Sequence, residues 1–112
     1  MSDLKAFSTT LLLESSPDTY ELLVKTLAKL KEDLLRLGYT CSVEEHSYLC
    51  SSPDTLVKIF PLPHTVETRM IEAHRFTIKV VLTSLDPRKL VQLNDLVATN
   101  VRGSGLRYRR TD

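Results

Sequence analysis

Tryptophan is absent from these 112 residues, glycine occurs three times, cysteine twice, and aromatic side chains make up only 6%. With three phenylalanines, and several of the aromatic residues already allotted to the core, the chain has little from which to build a platform for stacked bases. Only two cysteines, Cys41 and Cys50, in a domain long enough to fold without staples argue for reduced thiols over a disulfide scaffold. No apolar run approaches the roughly 18–20 residues of a membrane span, and Met1 to Leu13 lacks the basic start and apolar stretch of a signal peptide. Cytosol or nucleus is the expected compartment.

Reactive groups are also sparse. His46, His64 and His74 share no ligand spacing, and adding Cys41 and Cys50 to them would require an unusual convergence of strands, so no metal is expected. Ser104 lies between glycines but outside any GxSxG elbow, and GSG is far shorter than a phosphate-cradling GxxxxGKS loop. Glu44, Glu45, Glu67 and Glu72 are not paired into an acid–base dyad. The expectation is a protein with no catalytic activity and no cofactor.

What the chain does have is enough apolar material (42%) and charge (26%) for one ordinary domain spanning residues 1–112, either standing alone or serving as a regulatory module or fragment of a larger chain. The charge is divided. Residues 1–56 hold five Lys/Arg against nine Asp/Glu, a balance of −4, and residues 57–112 hold ten against five, a balance of +5. Such asymmetry attracts an acidic partner or joins the halves to each other.

Lys5–Leu13 is apolar and β-branched enough for a strand. In SSPDTYELLVKTLAKLKEDLLRLGY, Ser16 offers a cap, Pro17 suits a first turn and Gly38 a left-handed close. Between them Tyr20, Leu23, Val24, Leu27, Leu30, Leu34 and Leu37 recur at threes and fours, predicting a long amphipathic helix with Lys25, Lys29, Lys31 and Glu32 turned away. The period then changes to two. In YTCSVEEHSYLCS a turn between Glu45 and His46 sets Val43 opposite Tyr48 and Cys41 opposite Cys50. Thr55–Phe60 reads as a further strand, stopped by prolines, and Phe76, Ile78, Val80 and Leu82 alternate as the best strand in the chain. Residues 64–74 are ambiguous, and residues 89–101 are expected to be a strand as far as Leu93, with a helix as the alternative.

The predicted fold class is α+β: one long amphipathic helix packed on an antiparallel sheet of four to five strands, in two layers. SSPDT occurs at 15–19 and again at 51–55, and reads as local turn chemistry, not as a structural repeat.

The ending GSGLRYRR concentrates charge beside an aromatic ring. Arg102, Arg107, Arg109 and Arg110 surround Tyr108, and Gly103 and Gly105 suit a turn leading into an ordered edge; a frayed, solvated end is the plain alternative. The helix followed by LGY (Leu37, Gly38, Tyr39), then LLRLGYTCSVEEHSYLCSS, RFTIKVVLTSL and GSGLRYRR, resembles the kinase-associated C-terminal domain of AMPK-related, MARK-type and checkpoint kinases. Gly103, Gly105, Leu106, Tyr108 and Arg109 match that domain's closing motif, a glycine-containing turn into an aromatic-basic helix. The resemblance implies a non-catalytic regulatory module that holds a kinase domain inactive by folding against it, or docks on anionic phospholipid, through Arg107, Arg109 and Arg110. Arg88 and Lys89 join that set on charge alone. The family continues into a second helix where this chain stops, so part of the sheet is expected to lie uncovered. Two other readings follow from the residues: a small subunit of a protein assembly that buries an exposed sheet face, and a nucleic-acid-binding module.

Overall fold

The computed structural model describes residues 6–60, 76–102, 104 and 106–111. A strand, β1 (Phe7–Ser15), leads through a 3₁₀ turn (Pro17–Thr19) into helix α1 (Tyr20–Arg36). Then come β2 (Thr40–Glu44), β3 (Ser47–Ser52), β4 (Thr55–Phe60), β5 (Phe76–Ser84), helix α2 (Pro87–Val101) and β6 (Arg107–Arg110). All strand pairs are antiparallel, in the order β2-β3-β4-β5-β1-β6. The α+β class is as expected, but the described residues form six strands and two helices, where one helix and four to five strands were predicted.

The core lies between one face of the sheet and both helices. Leu11 and Leu13 of β1, Val57 and Ile59 of β4, and Ile78, Val80 and Leu82 of β5 meet Leu23, Leu27, Leu30 and Leu34 of α1 and Leu90, Leu93, Val97 and Val101 of α2. Period two in the strands and period 3.6 in the helices bring these residues to one plane. Two members of the predicted α1 stripe, Val24 and Leu37, are instead exposed. Along the seam between the helices, Asn100 donates from Nδ2 to Asp33 Oδ2 at 3.1 Å.

Local chemistry explains the boundaries. Gly38 takes φ = +93°, while its N–H reaches Leu35 O and that of Tyr39 reaches Leu34 O, satisfying the last carbonyls of α1. At its start α1 is preceded by a turn in which Ser16 N–H donates to Thr19 Oγ1 at 3.0 Å; Thr19, and not the expected Ser16, stands at the N-cap position, where its side chain makes no capping hydrogen bond. The second SSPDT builds a different turn, with Ser52 and Thr55 both donating to Asp54 Oδ1. The shared pentapeptide is thus turn chemistry used twice.

Residues 89–93, expected as strand, lie in α2. Asp86 caps that helix by accepting from Arg88 N–H at 2.9 Å, Pro87 fits its first turn, and the buried Leu90, Leu93, Val97 and Val101 follow the helical period. Helix α2, which precedes the GSGLRYRR segment, packs on the sheet through these residues, where part of the sheet was expected to lie uncovered. GSGLRYRR itself ends as a strand, where the resemblance to the kinase-associated C-terminal domain implied a helix. Leu13 pairs with Tyr108 and Leu11 with Arg110, so β6 takes the free edge of β1.

The β2–β3 hairpin keeps the predicted register, Cys41 opposite Cys50 and Val43 opposite Tyr48, with Glu45 at φ = +52° in the turn. Direct opposition has a chemical consequence the cysteine count did not anticipate. Cys41 and Cys50 are joined by a disulfide, their Cα atoms 4.0 Å apart. The segment 64–74, including His64 and His74, lies outside the described residues, as do Gly103 and Gly105.

Candidate functional site

The basic residues named from the sequence fall in three places. Arg88 and Lys89 begin α2 and Arg102 ends it, 14 residues away, roughly 21 Å at 1.5 Å per residue. Both residues at the first end are engaged by carboxylates. Arg88 Nε lies 3.5 Å from Asp86 Oδ1, and Lys89 Nζ donates to both oxygens of Asp54, at 2.7 and 2.8 Å. That pair holds the Asp54 carboxyl below its usual range, first through the Lys89 hydrogen bond and then through that from Thr55. It also raises the Lys89 ammonium. Thr55 and Ser84, both buried, share a 2.8 Å hydrogen bond beneath the pair, and Ser84 Oγ accepts from Asp86 N–H at 3.0 Å. This network ties the β3–β4 turn to the start of α2, and Lys89 serves in it as a fastening.

At the other end, Tyr108 and Arg110 face the helix side of the sheet and Arg107 and Arg109 the opposite side, because neighbours along a strand alternate. Tyr108 Oη reaches Asn94 Oδ1 at 3.5 Å and lines a cavity of about 640 Å³ with Leu106 and Arg102. Ser104, between the two glycines, accepts from Leu106 N–H at 3.2 Å and donates to Val101 O, so it shapes the turn that delivers β6.

The sheet face away from the helices adds to Arg107 and Arg109 two cations, Lys58 and Lys79, that no sequence motif pointed to. Register places Phe60, Lys79, Leu12 and Arg109 in one row across β4, β5, β1 and β6, and Lys58, Val81 and Thr10 in the next. Arg107 opposes Glu14 in a further row. The positions of β1, β4, β5 and β6 on this face therefore carry Lys58, Lys79, Arg107 and Arg109 against one carboxylate, Glu14, whose Oε1 lies 3.4 Å from Arg109 Nε. Lys58 Nζ also sits 4.8 Å from the centroid of the Phe60 ring. Lys79, Arg107 and Arg109 are exposed, and Ser8, Thr10, Thr77 and Thr83 complete a polar surface around Leu12, Val81 and Leu56. The signal was present in the sequence, since Lys58 and Lys79 alternate with the buried residues of their strands. What strand alternation could not supply was the pairing that brings β4 and β5 beside β1 and β6.

Among the described residues there is no cluster of three or more His, Cys, Asp or Glu side chains able to hold a metal ion, and no helix long and apolar enough to cross a membrane.

No protein-family profile matches this chain, and no curated protein is significantly similar to it. Among solved structures, the NMR structure of PA4090 from Pseudomonas aeruginosa is similar at a TM-score of 0.49 with 13% identity, over 92% of this chain and 95% of that one. A likeness at that level says nothing of function.

Proposed function

We propose that this chain is a non-catalytic regulatory or interaction domain that docks on a negatively charged surface through the face of its sheet away from the helices. The observation that carries the reading is the four-to-one excess of cations over carboxylates on β1, β4, β5 and β6. Arg107 and Arg109, singled out from the sequence, belong to that face, and Lys58 and Lys79 extend it inward across the sheet. Arg102, Tyr108 and Arg110 border it from the helix side, whereas Arg88 and Lys89 serve the Asp54 network at the far end of α2. A pleated surface with cations set one to three strands apart, at about 4.8 Å per strand, matches a broad anionic surface better than a single small anion. Acidic patches of a protein, an attached kinase domain included, and anionic lipid headgroups share that chemistry, with each basic residue worth about 1 kcal/mol near an anionic bilayer.

Sedimentation with liposomes separates the two sources. Recovery that rises with anionic lipid and falls about tenfold or more when Lys79, Arg107 and Arg109 are all changed to alanine identifies lipid. Equal recovery with and without anionic lipid moves the surface to an acidic protein partner. Loss of retention on a sulfated polyanion column in the triple variant is expected in both cases, and full retention would remove the reading altogether.

A further inference from the structure

The two edges of the sheet are protected differently. The β6 edge presents three arginines in four residues, the kind of charge that keeps sheet edges apart. Two copies meeting there antiparallel would set Arg107 against Arg110. The β2 edge, TCSVE, has no proline and a single ionisable residue, and all its residues but Cys41 are exposed.

Next to β2 is an apolar shelf on the same side as the helices. Val43 is 56% exposed although it faces the helix layer beside Tyr48. Lys31 Nζ lies 4.3 Å from the centroid of the Tyr48 ring, which fixes the flank of α1 that overlooks β3. That flank follows i, i+4, i+7, i+11 through Val24, Ala28, Lys31 and Leu35, with Val24 42% and Leu35 53% exposed. The opposite flank of α1 carries Asp33, hydrogen-bonded to α2. Among the described residues, an unpaired row of backbone donors and acceptors and a neighbouring apolar flank therefore stand together at one edge.

We propose that β2 is a dimer contact, with two copies of this chain pairing antiparallel across it to form one continuous sheet. Charge and symmetry select a second copy as the occupant. In a two-fold pairing centred on Ser42, Cys41 meets Val43 and Thr40 meets Glu44, so no two like charges oppose each other. Each copy also brings the apolar flank that the other needs to cover, and the ladder extends over five residues, about 17 Å. The disulfide to Cys50 holds β2 in place as a template, and because it uses both cysteines of the chain the contact between copies is non-covalent. This surface is separate from the basic face, so either assignment can fail alone.

Light scattering and sedimentation on the intact chain across a concentration series test it. The expected result is a mass of two chains at high concentration, with dissociation shifted at least about tenfold by Val43→Lys and by Leu35→Lys but not by Val91→Lys on the outer side of α2. Both residues are exposed, and circular dichroism melts check that the variants are folded. Amide exchange in Thr40–Glu44 should slow as concentration rises. A single-chain mass throughout, concentration-independent exchange in β2, or a dimer indifferent to both variants would each overturn the proposal.

Discussion

Lys89 reaches 35 positions back along the chain to hold both oxygens of Asp54, and the titration of this pair sets a pH window for stability. The folded protein keeps Asp54 ionised to lower pH than the unfolded chain does, so its contribution is present above the unfolded carboxylate value, about 4, and is lost as pH falls through the lower folded value. Lys89 works in the other direction. Its folded value is raised, so its contribution is present below the unfolded lysine value, about 10, and is lost as pH rises through the folded one. Both groups are about one-third exposed, so the effect is modest and screened by salt. Lys89→Met is expected to flatten, though not abolish, the acid limb of a urea-midpoint profile, because Thr55 and Ser52 still donate to Asp54. An unchanged acid limb would show that the pair does not couple folding to pH. Nothing local in the sequence pairs these two residues, and by charge alone Lys89 reads as free positive charge.

At the scale of elements, the β2–β3 hairpin depends most on a single link. Its register was legible because Val43, Tyr48, Cys41 and Cys50 share one face at period two about a short turn. The covalent bond was not, since cysteine number argues from abundance while a disulfide depends on two side chains meeting. Among the described residues β2 has one neighbouring strand and lies mostly exposed, so the bond supplements a marginal edge. A cross-link nine residues apart removes loop entropy worth about 2–3 kcal/mol from the unfolded chain. Treatment with a dithiol reductant is expected to lower unfolding free energy by about that amount and to speed amide exchange in Thr40–Glu44 more than in β5, the central strand. Equal stability with and without reductant would show that β3 alone holds the edge. Helix α2 was misread for a different reason: Lys89 to Leu93 satisfies both a strand and a helical pattern, and the capping by Asp86 and burial of Val97 and Val101 that decide it lie at the two ends of the element.

Across the whole molecule the sheet divides the chemistry. Its helix side holds the core, the opposite side carries the cations, and its two edges differ in charge. The positive half of the sequence supplies β5, α2 and β6, and most of the charge of the cationic face comes from it, while the negative half supplies α1 and the β2–β3 hairpin. The two proposed surfaces should therefore be separable. Val43→Lys is expected to leave retention on a polyanion column unchanged or slightly greater, and the alanine changes at Lys79, Arg107 and Arg109 to leave the mass in light scattering unchanged. Loss of both properties in either variant would indicate one shared surface.

The sequence alone determined the periodic elements: the leucine stripe of α1, the alternation in β4 and β5, the Gly38 close and the hairpin register. Each depends on residues within a few positions of one another, where backbone geometry and side-chain period are sufficient. Only the tertiary structure decided that β6 lies against β1, that Arg107 and Arg109 share a face with Lys58 and Lys79, that Lys89 belongs to Asp54, and that Val24 and Leu35 are left bare beside β2. Those facts follow from the order in which strands pair, and pairing is settled by burying the whole core at once and not by any local stretch of chain.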